Sequence, residues 1–276
     1  MTNILIISMA FIALLLLGVP VAFALGVPCI GYLLLVPGLP VTVVAQNIMR
    51  HMLSFTLISM PGFLFVGRMM NTSGITDRLF KFAIAIVGRF RGGLAMANAL
   101  ASMMFAAMSG TAIGDAGGLG LVEMNMMKEA GYQDDVSAGI TAASSILGPI
   151  IPPSAAMVLL ASICELPVTM LFYGGMGPGI LLCLAMILLI AFRAHFTEKG
   201  KSWPKTVVPW KQALATIPQA IPALFTFVII LGSILSGLCT ATEAAVIAAW
   251  YSIILGFCYK KATWKLIWKT LEETVA

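Results

Sequence analysis

Apolar residues run along this chain in long stretches, at 4–36, 53–70, 94–113, 116–127, 136–163, 168–192, 213–238 and 244–259. About 20 apolar residues in helical conformation cross the ~30 Å hydrocarbon core of a bilayer. The pattern therefore predicts an all-α integral membrane protein that spans the bilayer several times. Several stretches are interrupted, at Gly18-Val19-Pro20, Pro61-Gly62, Gly148-Pro149 and Gly177-Pro178-Gly179. Proline has no backbone donor, so each break frees backbone groups that must find other partners.

Composition agrees. Of 276 residues, 60% are hydrophobic and 10% charged, against about 25% charged in a soluble chain. Mean hydropathy is +1.02. The first apolar run has no basic residues ahead of it and no small-residue cleavage pattern after it. The N-terminus is accordingly expected to belong to the mature membrane protein. A net charge of +5 is no nucleic-acid signal here, because the basic residues cluster between apolar runs. The five cysteines are scattered with no CxxC pair, and neither histidine belongs to an HExxH motif. Free thiols, no cofactor and no enzymatic activity are the expectation.

The basic clusters set the topology. Residues 71–93 carry Arg78, Lys81, Arg89 and Arg91. Residues 193–211 carry Arg193, Lys199, Lys201, Lys205 and Lys211, and the tail carries Lys260, Lys261, Lys265 and Lys269. The positive-inside rule places all three in the cytoplasm. Three full crossings between the first two clusters would violate that rule. A re-entrant hairpin at 94–128 removes the conflict, and residues 94–109 make only ~24 Å of helix. Residues 136–163 then form a broken helix, interrupted at 148–153, and 168–192 span back to a cytoplasmic loop at 193–211. With outer helices at 4–70, residues 1–211 read as a first repeat. Residues 212–276 read as the truncated start of a second, inverted repeat, since the interruption at 237–240 loosely echoes that at 18–20.

Three constellations carry candidate chemistry. The first is the hairpin tip, Ser109-Gly110-Thr111-Ala112-Ile113-Gly114-Asp115. Its unwound carbonyls and two hydroxyls suit a hard monovalent cation such as Na⁺, and helix N–H groups suit an anionic substrate. Close packing through small residues explains the same pattern equally well. Asp115 is either functional, as carboxylates inside membranes tend to be, or an N-terminal helix cap. The second constellation runs from Thr141-Ala142-Ala143-Ser144-Ser145 to Gly148-Pro149-Ile150-Ile151-Pro152-Pro153-Ser154. Three prolines and a glycine there exclude a continuous helix, and the hydroxyls flank the break either as an opposing wall for the same ion or as part of a packing kink. The third, Thr240-Ala241-Thr242-Glu243, reads mainly as a helix N-cap and as possible support from the second repeat, with Glu243 able to pair with Arg68. Trp203, Trp210, Trp264 and Trp268 read as interface anchors, and the amphipathic tail 264–271 as a helix lying flat on the membrane. An intramembrane aspartyl protease would need a second membrane aspartate near Asp115, and Asp77, Asp134 and Asp135 lie at loop edges.

In these motifs the chain resembles the large membrane subunit of tripartite ATP-independent periplasmic (TRAP) transporters, the DctM-like subunit. The resemblance rests on Arg91-Gly92-Gly93-Leu94-Ala95, Ser109-Gly110-Thr111 with Asp115, Thr141 to Ser154, Leu231-Gly232, Ser236-Gly237 and Thr240 to Ala245, in that order. It implies an elevator-type permease of the bacterial cell inner membrane with inverted repeats. Such a permease works with a small four-helix membrane subunit and a periplasmic solute-binding protein. It takes up organic acids (C4-dicarboxylates, sialic acids or sugar acids) by symport with Na⁺. It also implies a cation site at Ser109, Gly110, Thr111, Asp115, Ser144, Ser145, Gly148, Pro149, Pro152, Pro153 and Ser154, with Na⁺ held at Ser109, Thr111, Ser145 and Gly148. Two departures stand out. Ala241 replaces the family's proline between the threonines, and no second hairpin and proline loop precede Ala276. The chain alone is therefore expected not to transport, and a non-transporting fragment or structural membrane subunit is the alternative reading.

Overall fold

The computed structural model describes residues 2–35, 40, 42–197, 200, 203–205 and 210–275. Nearly all of these are helical, and none of the described residues forms a strand. The chain divides into two compact units, Met1–Ser54 and Phe55–Ala276.

The first unit holds α1 (Thr2–Leu16), α2 (Val21–Leu35) and α3 (Thr42–Met52). The break foreseen at Gly18-Val19-Pro20 separates α1 from α2, which pack on each other. Gly18 turns into the left-handed region at φ 77°, a conformation that ends helices and favours glycine. The Pro20 carbonyl accepts from Phe23 and Ala24, so this proline sits at the start of α2, where its missing N–H costs nothing.

The second unit opens with a short 3₁₀ turn (Phe55–Ile58). It continues as α4 (Ser59–Thr72), α5 (Ile75–Val87), α6 (Gly93–Ser109), α7 (Ala112–Gly117), α8 (Leu119–Glu129), α9 (Asp134–Ser145), α10 (Leu147–Ile150) and α11 (Ala155–Cys164). It closes with α12 (Val168–Phe196), α13 (Trp210–Leu235), α14 (Ala241–Cys258) and α15 (Trp264–Val275). Among the described residues four segments are long and apolar enough to cross a membrane: Asp134–Cys164 taken as one broken rod, Val168–Phe196, Thr216–Leu235 and Ala241–Cys258. On α12, Leu181, Leu184, Leu188 and Phe192 form a stripe of exposed apolar side chains. A stripe of that kind suits lipid and not water. Helix α6, at 17 residues, is ~25 Å long and falls short of the hydrocarbon thickness.

Small residues set the contact between α4 and α14. Ala241, Ala244, Ala245 and Ala248 of α14 are buried, and a Cβ added to Gly62 of α4 would meet the Ala245 Cβ at 2.9 Å. Backbones approach this closely only where side chains are absent or short.

The interruptions expected at Pro61-Gly62 and Gly177-Pro178-Gly179 do not occur, because α4 and α12 run through them, a proline being tolerated where neighbouring helices re-satisfy the freed backbone group. Two further expectations are corrected by the packing. Residues 71–93 are not simply a basic loop, because α5 lies inside them. Ile75, Leu79, Phe80, Ala83 and Ile84 are buried on one face of α5 at three- to four-residue spacing. Arg78 sits with its guanidinium carbon 3.6 Å from the Tyr259 ring centroid, a cation–π contact that lets a basic residue pack against the helical core. Trp203, expected at an interface, is buried with its ring 5.4 Å from that of Tyr132. Lys199 and Lys201 lie outside the described residues, as do the side chains of Trp210 and Lys211. Trp264 and Trp268 of α15 are exposed.

Candidate functional site

The hairpin tip is shorter than its sequence suggests. Only Gly110 and Thr111 interrupt the helices between α6 and α7. Gly110 ends α6 in the left-handed conformation at φ 61°, and its N–H donates to Ala106 O. Thr111 then caps α7, with its Oγ1 accepting from Gly114 N at 3.0 Å. Ser109 Oγ donates to Thr111 O at 3.4 Å. The return arm is broken again at Gly118, so it consists of the two short helices α7 and α8.

The proline break faces this tip. Gly148 and Pro149 lie in the single helical turn α10, and the extended stretch runs from Ile151 to Ser154. It includes Pro152 and Pro153, joined by a cis peptide bond. Ser154 caps α11: its Oγ accepts from Met157 N at 3.3 Å and donates to Pro149 O at 2.8 Å.

Tip and break meet backbone to backbone. Ala155 N donates to Gly110 O at 3.3 Å. A Cβ on Gly110 would come within 2.8 Å of Pro153 O, and one on Gly148 within 2.8 Å of both the carbonyl carbon and oxygen of Thr111. On the other side, a Cβ on Gly67 of α4 would lie 2.7 Å from Ser109 Cα. Three glycines thus make room for the tip to be clamped between α4 and α10–α11. The fold brings Ser109, Gly110, Thr111, Gly148, Pro149, Pro153 and Ser154 together in one place.

Ser144, Ser145 and Asp115 belong to a second, buried cluster. Asn98 Nδ2 donates to Thr141 Oγ1 at 2.8 Å, Ser144 Oγ donates to Asn98 Oδ1 at 2.7 Å, and Ser102 Oγ donates to Ser144 Oγ at 3.1 Å. Ser145 Oγ donates to Thr141 O at 2.7 Å. The network ties α6 to α9 in the interior. Asp115 is 1% exposed, with the Ser102 and Ser145 side chains beside its carboxylate. Glu123 of α8 is 0% exposed and lies within electrostatic reach of Asp115. The Glu123 carboxylate has no hydrogen-bond partner.

The third constellation stands apart from both. Thr240 and Glu243 form a full capping box at the start of α14, with Thr240 N donating to Glu243 Oε2 at 2.8 Å. The cap reading of the motif is thus the one observed. Thr242 Oγ1 donates to Phe55 O at 3.0 Å. Arg68 pairs with Glu273 at 3.6 Å and not with Glu243.

A cavity of about 460 Å³ opens beside the tip, lined among others by Arg68, Asn71, Ser109, Thr111 and Glu273. Sequence reasoning had not assigned Asn98, Ser102, Glu123, Gly67 or Asn71 a role in a site. Asn98 and Ser102 were findable: an amide and a hydroxyl four residues apart share a helix face within an apolar run. Glu123 was equally visible as a lone carboxylate in the stretch 116–127.

Comparison with known proteins gives this geometry its context. The model of the tripartite ATP-independent periplasmic transporter DctM component matches residues 8–276. The sialic acid TRAP transporter permease protein SiaT of Haemophilus influenzae is 37% identical over 97% of this chain and 43% of its own length. The sialic acid TRAP transporter large permease protein SiaM of Vibrio cholerae is 36% identical over 96% of this chain and 62% of its own length. The C4-dicarboxylate TRAP transporter large permease protein DctM of the same organism is 38% identical over 90% and 55%. The chain thus spans about half the length of the curated relatives it matches.

Proposed function

Because the chain belongs to the DctM component family of tripartite ATP-independent periplasmic transporters, we propose that it is part of a Na⁺-coupled permease for organic acids. It acts in the bacterial inner membrane, as a multi-pass protein. The substrate class is that of its relatives, sialic acids and C4-dicarboxylates. Its partners are a small four-helix membrane subunit and a periplasmic solute-binding protein.

One observation carries the mechanism: the backbone bond from Ala155 N to Gly110 O, which makes the hairpin tip and the proline loop a single structural element. Broken helices that meet in this way are where secondary transporters bind substrate and coupling ion. The donor chemistry fits Na⁺. Around the contact lie the carbonyls of Gly110, Thr111 and Pro153 and the hydroxyls of Ser109 and Thr111, all oxygen ligands of the kind hard cations take. Na⁺ taken up there draws the tip against the loop and fixes the wall of the adjoining cavity. Arg68 in that cavity supplies the positive charge for a substrate carboxylate. Its present partner, Glu273, is half-exposed, and a surface ion pair of this kind is weak enough to be exchanged. The re-entrant hairpin, the inverted repeat and an elevator-type motion against a scaffold complete the reading.

The test is uptake into proteoliposomes that hold this chain, the segment corresponding to the rest of its relatives' length and both partners. Radiolabelled N-acetylneuraminate and succinate are the probes. Uptake of either should require an inward Na⁺ gradient and fall to background in Gly148→Ala. Uptake independent of Na⁺, or unaffected by that substitution, would sink the mechanism. No uptake of either acid would favour a structural role.

A further inference from the structure

Helices α9 and α12 both pack on α6, and a trough of about 400 Å³ is left between them. Ligand sites commonly occupy about 300–1,000 Å³. The walls of the trough are two apolar stripes. Val136, Gly139, Ile140 and Ala143 line it from α9, at the three- and four-residue spacing of a single helix face. Met186, Leu189 and Ile190 line it from α12 at the same spacing. The floor is open at Gly139, where an added Cβ would meet no atom within 4 Å. Leu189 is exposed and adjoins Leu188 of the lipid-facing stripe, so the trough opens sideways into the bilayer.

Its polar groups gather at one end. Asp135 lies in the first turn of α9 and Arg193 in the last turn of α12, and both line the trough together with Gln133 and Trp203. Trp203 is buried there against Tyr132. The basic segment 193–211 sets this end at the cytoplasmic surface. Asp134 is paired with Lys128 at 3.3 Å, which leaves its neighbour Asp135 to the trough. Among the described residues neither Asp135 nor Arg193 has an ion-pair partner. One end therefore offers a positive and a negative group, and the rest offers only hydrocarbon. A small organic acid has no use for the apolar length, and a purely anionic lipid would be repelled by Asp135.

We propose that this trough binds a phosphatidylethanolamine molecule of the cytoplasmic leaflet. Arg193 holds the phosphate, for which its guanidinium is well suited, and Asp135 holds the ammonium. One acyl chain lies between the stripes of α9 and α12. Basic pockets between transmembrane helices on the cytoplasmic side take lipid headgroups in this way. The lipid fills the gap between α12 and the helix that runs into the proline break, and so braces the wall behind the hairpin tip. The inference needs only a chain that lies in a bilayer. It is independent of Na⁺ coupling and of the substrate.

The experiment is thermal unfolding of the purified chain in detergent, with added phosphatidylethanolamine or with phosphatidylglycerol of the same acyl chains. Phosphatidylethanolamine should raise the melting temperature by several degrees, and phosphatidylglycerol by less. Glycerophosphoethanolamine, the headgroup without acyl chains, should give no shift. Gly139→Leu puts a side chain into the open floor and should abolish the phosphatidylethanolamine shift. Asp135→Asn should make the two lipids equivalent. A shift that survives Gly139→Leu, or that the headgroup alone reproduces, overturns the site. Equal shifts from both lipids in the wild type overturn the headgroup pairing. No shift with either lipid overturns the proposal and leaves the trough to be covered by protein. Should Gly139→Leu not fold, the exposed Asp135→Asn still decides, because an unchanged preference for phosphatidylethanolamine in it sinks the assignment.

Discussion

Two helix starts in this protein use the same local chemistry to different ends. Thr111 caps α7 and Thr240 caps α14, and a left-handed glycine precedes each, directly for Gly110 at φ 61° and three residues ahead for Gly237 at φ 73°. The surroundings differ. Gly110 is pressed against Pro153 O and Ala155 N, whereas a Cβ on Gly237 would meet nothing within 4 Å. At Thr240 the cap is completed by its own Glu243. At Thr111 the backbone is held from outside, by the proline break. A cap satisfies a helix end; it becomes a candidate binding site only when a second broken segment is locked onto it.

The largest effect should come from attacking that lock. Gly148→Val places a side chain where Thr111 backbone already sits. A loss of about 1–3 kcal/mol or more is expected, read as a lower melting temperature in detergent. Gly237→Ala should cost only about 1 kcal/mol, the strain of a left-handed non-glycine residue. Equal losses at the two positions would break the comparison.

Next is the polar network behind the tip. Asn98→Leu removes the donor to Thr141 Oγ1 in the interior, while Ser144 keeps Thr141 O and Ser102, so the loss should be about 1–3 kcal/mol for the one unsatisfied group. Thr242→Val removes a single bond to Phe55 O and should cost about 1 kcal/mol. The same melting assay ranks the two.

The caps themselves should be alike in stability. Thr111→Ala and Thr240→Ala should each lose about 1 kcal/mol, while only the Thr111 variant should also weaken the Na⁺-dependent shift in melting temperature. The smallest effect belongs to the exposed ion pair. Arg68→Gln should change stability by about 0–1 kcal/mol, and less at high salt. A larger loss would mean that α15 is anchored through Glu273 more firmly than a half-exposed pair allows.

Particular residues show why some features were legible in the sequence and others were not. The breaks at Gly18–Pro20 and around Pro149–Pro153 could be read directly, because proline and left-handed glycine act on their own backbone. The capping box at Thr240 was legible for the same reason: its two partners are three residues apart. Helix α5 was missed because Arg78 and Lys81 masked a 3.6-residue apolar stripe, and the Arg78–Tyr259 contact that shelters the charge spans most of the second unit. The proposed pairing of Glu243 with Arg68 failed where the nearer capping partner won.

The sequence by itself determined the solvent, the helical class and some helix ends, such as those at Gly18–Pro20 and Ile151–Ser154, since apolar run length, proline and glycine act locally; at Pro61-Gly62 and Gly177-Pro178-Gly179 the helices run on through the break the residues suggest. Tertiary structure decided which stops face each other. Gly110 meets Ala155, Gly148 meets Thr111, Ser109 meets Gly67, and Asp115 turns to Glu123 and Ser102. Those pairings depend on how closely two backbones can approach, and that is a property of both partners at once, which no single stretch of chain encodes alone.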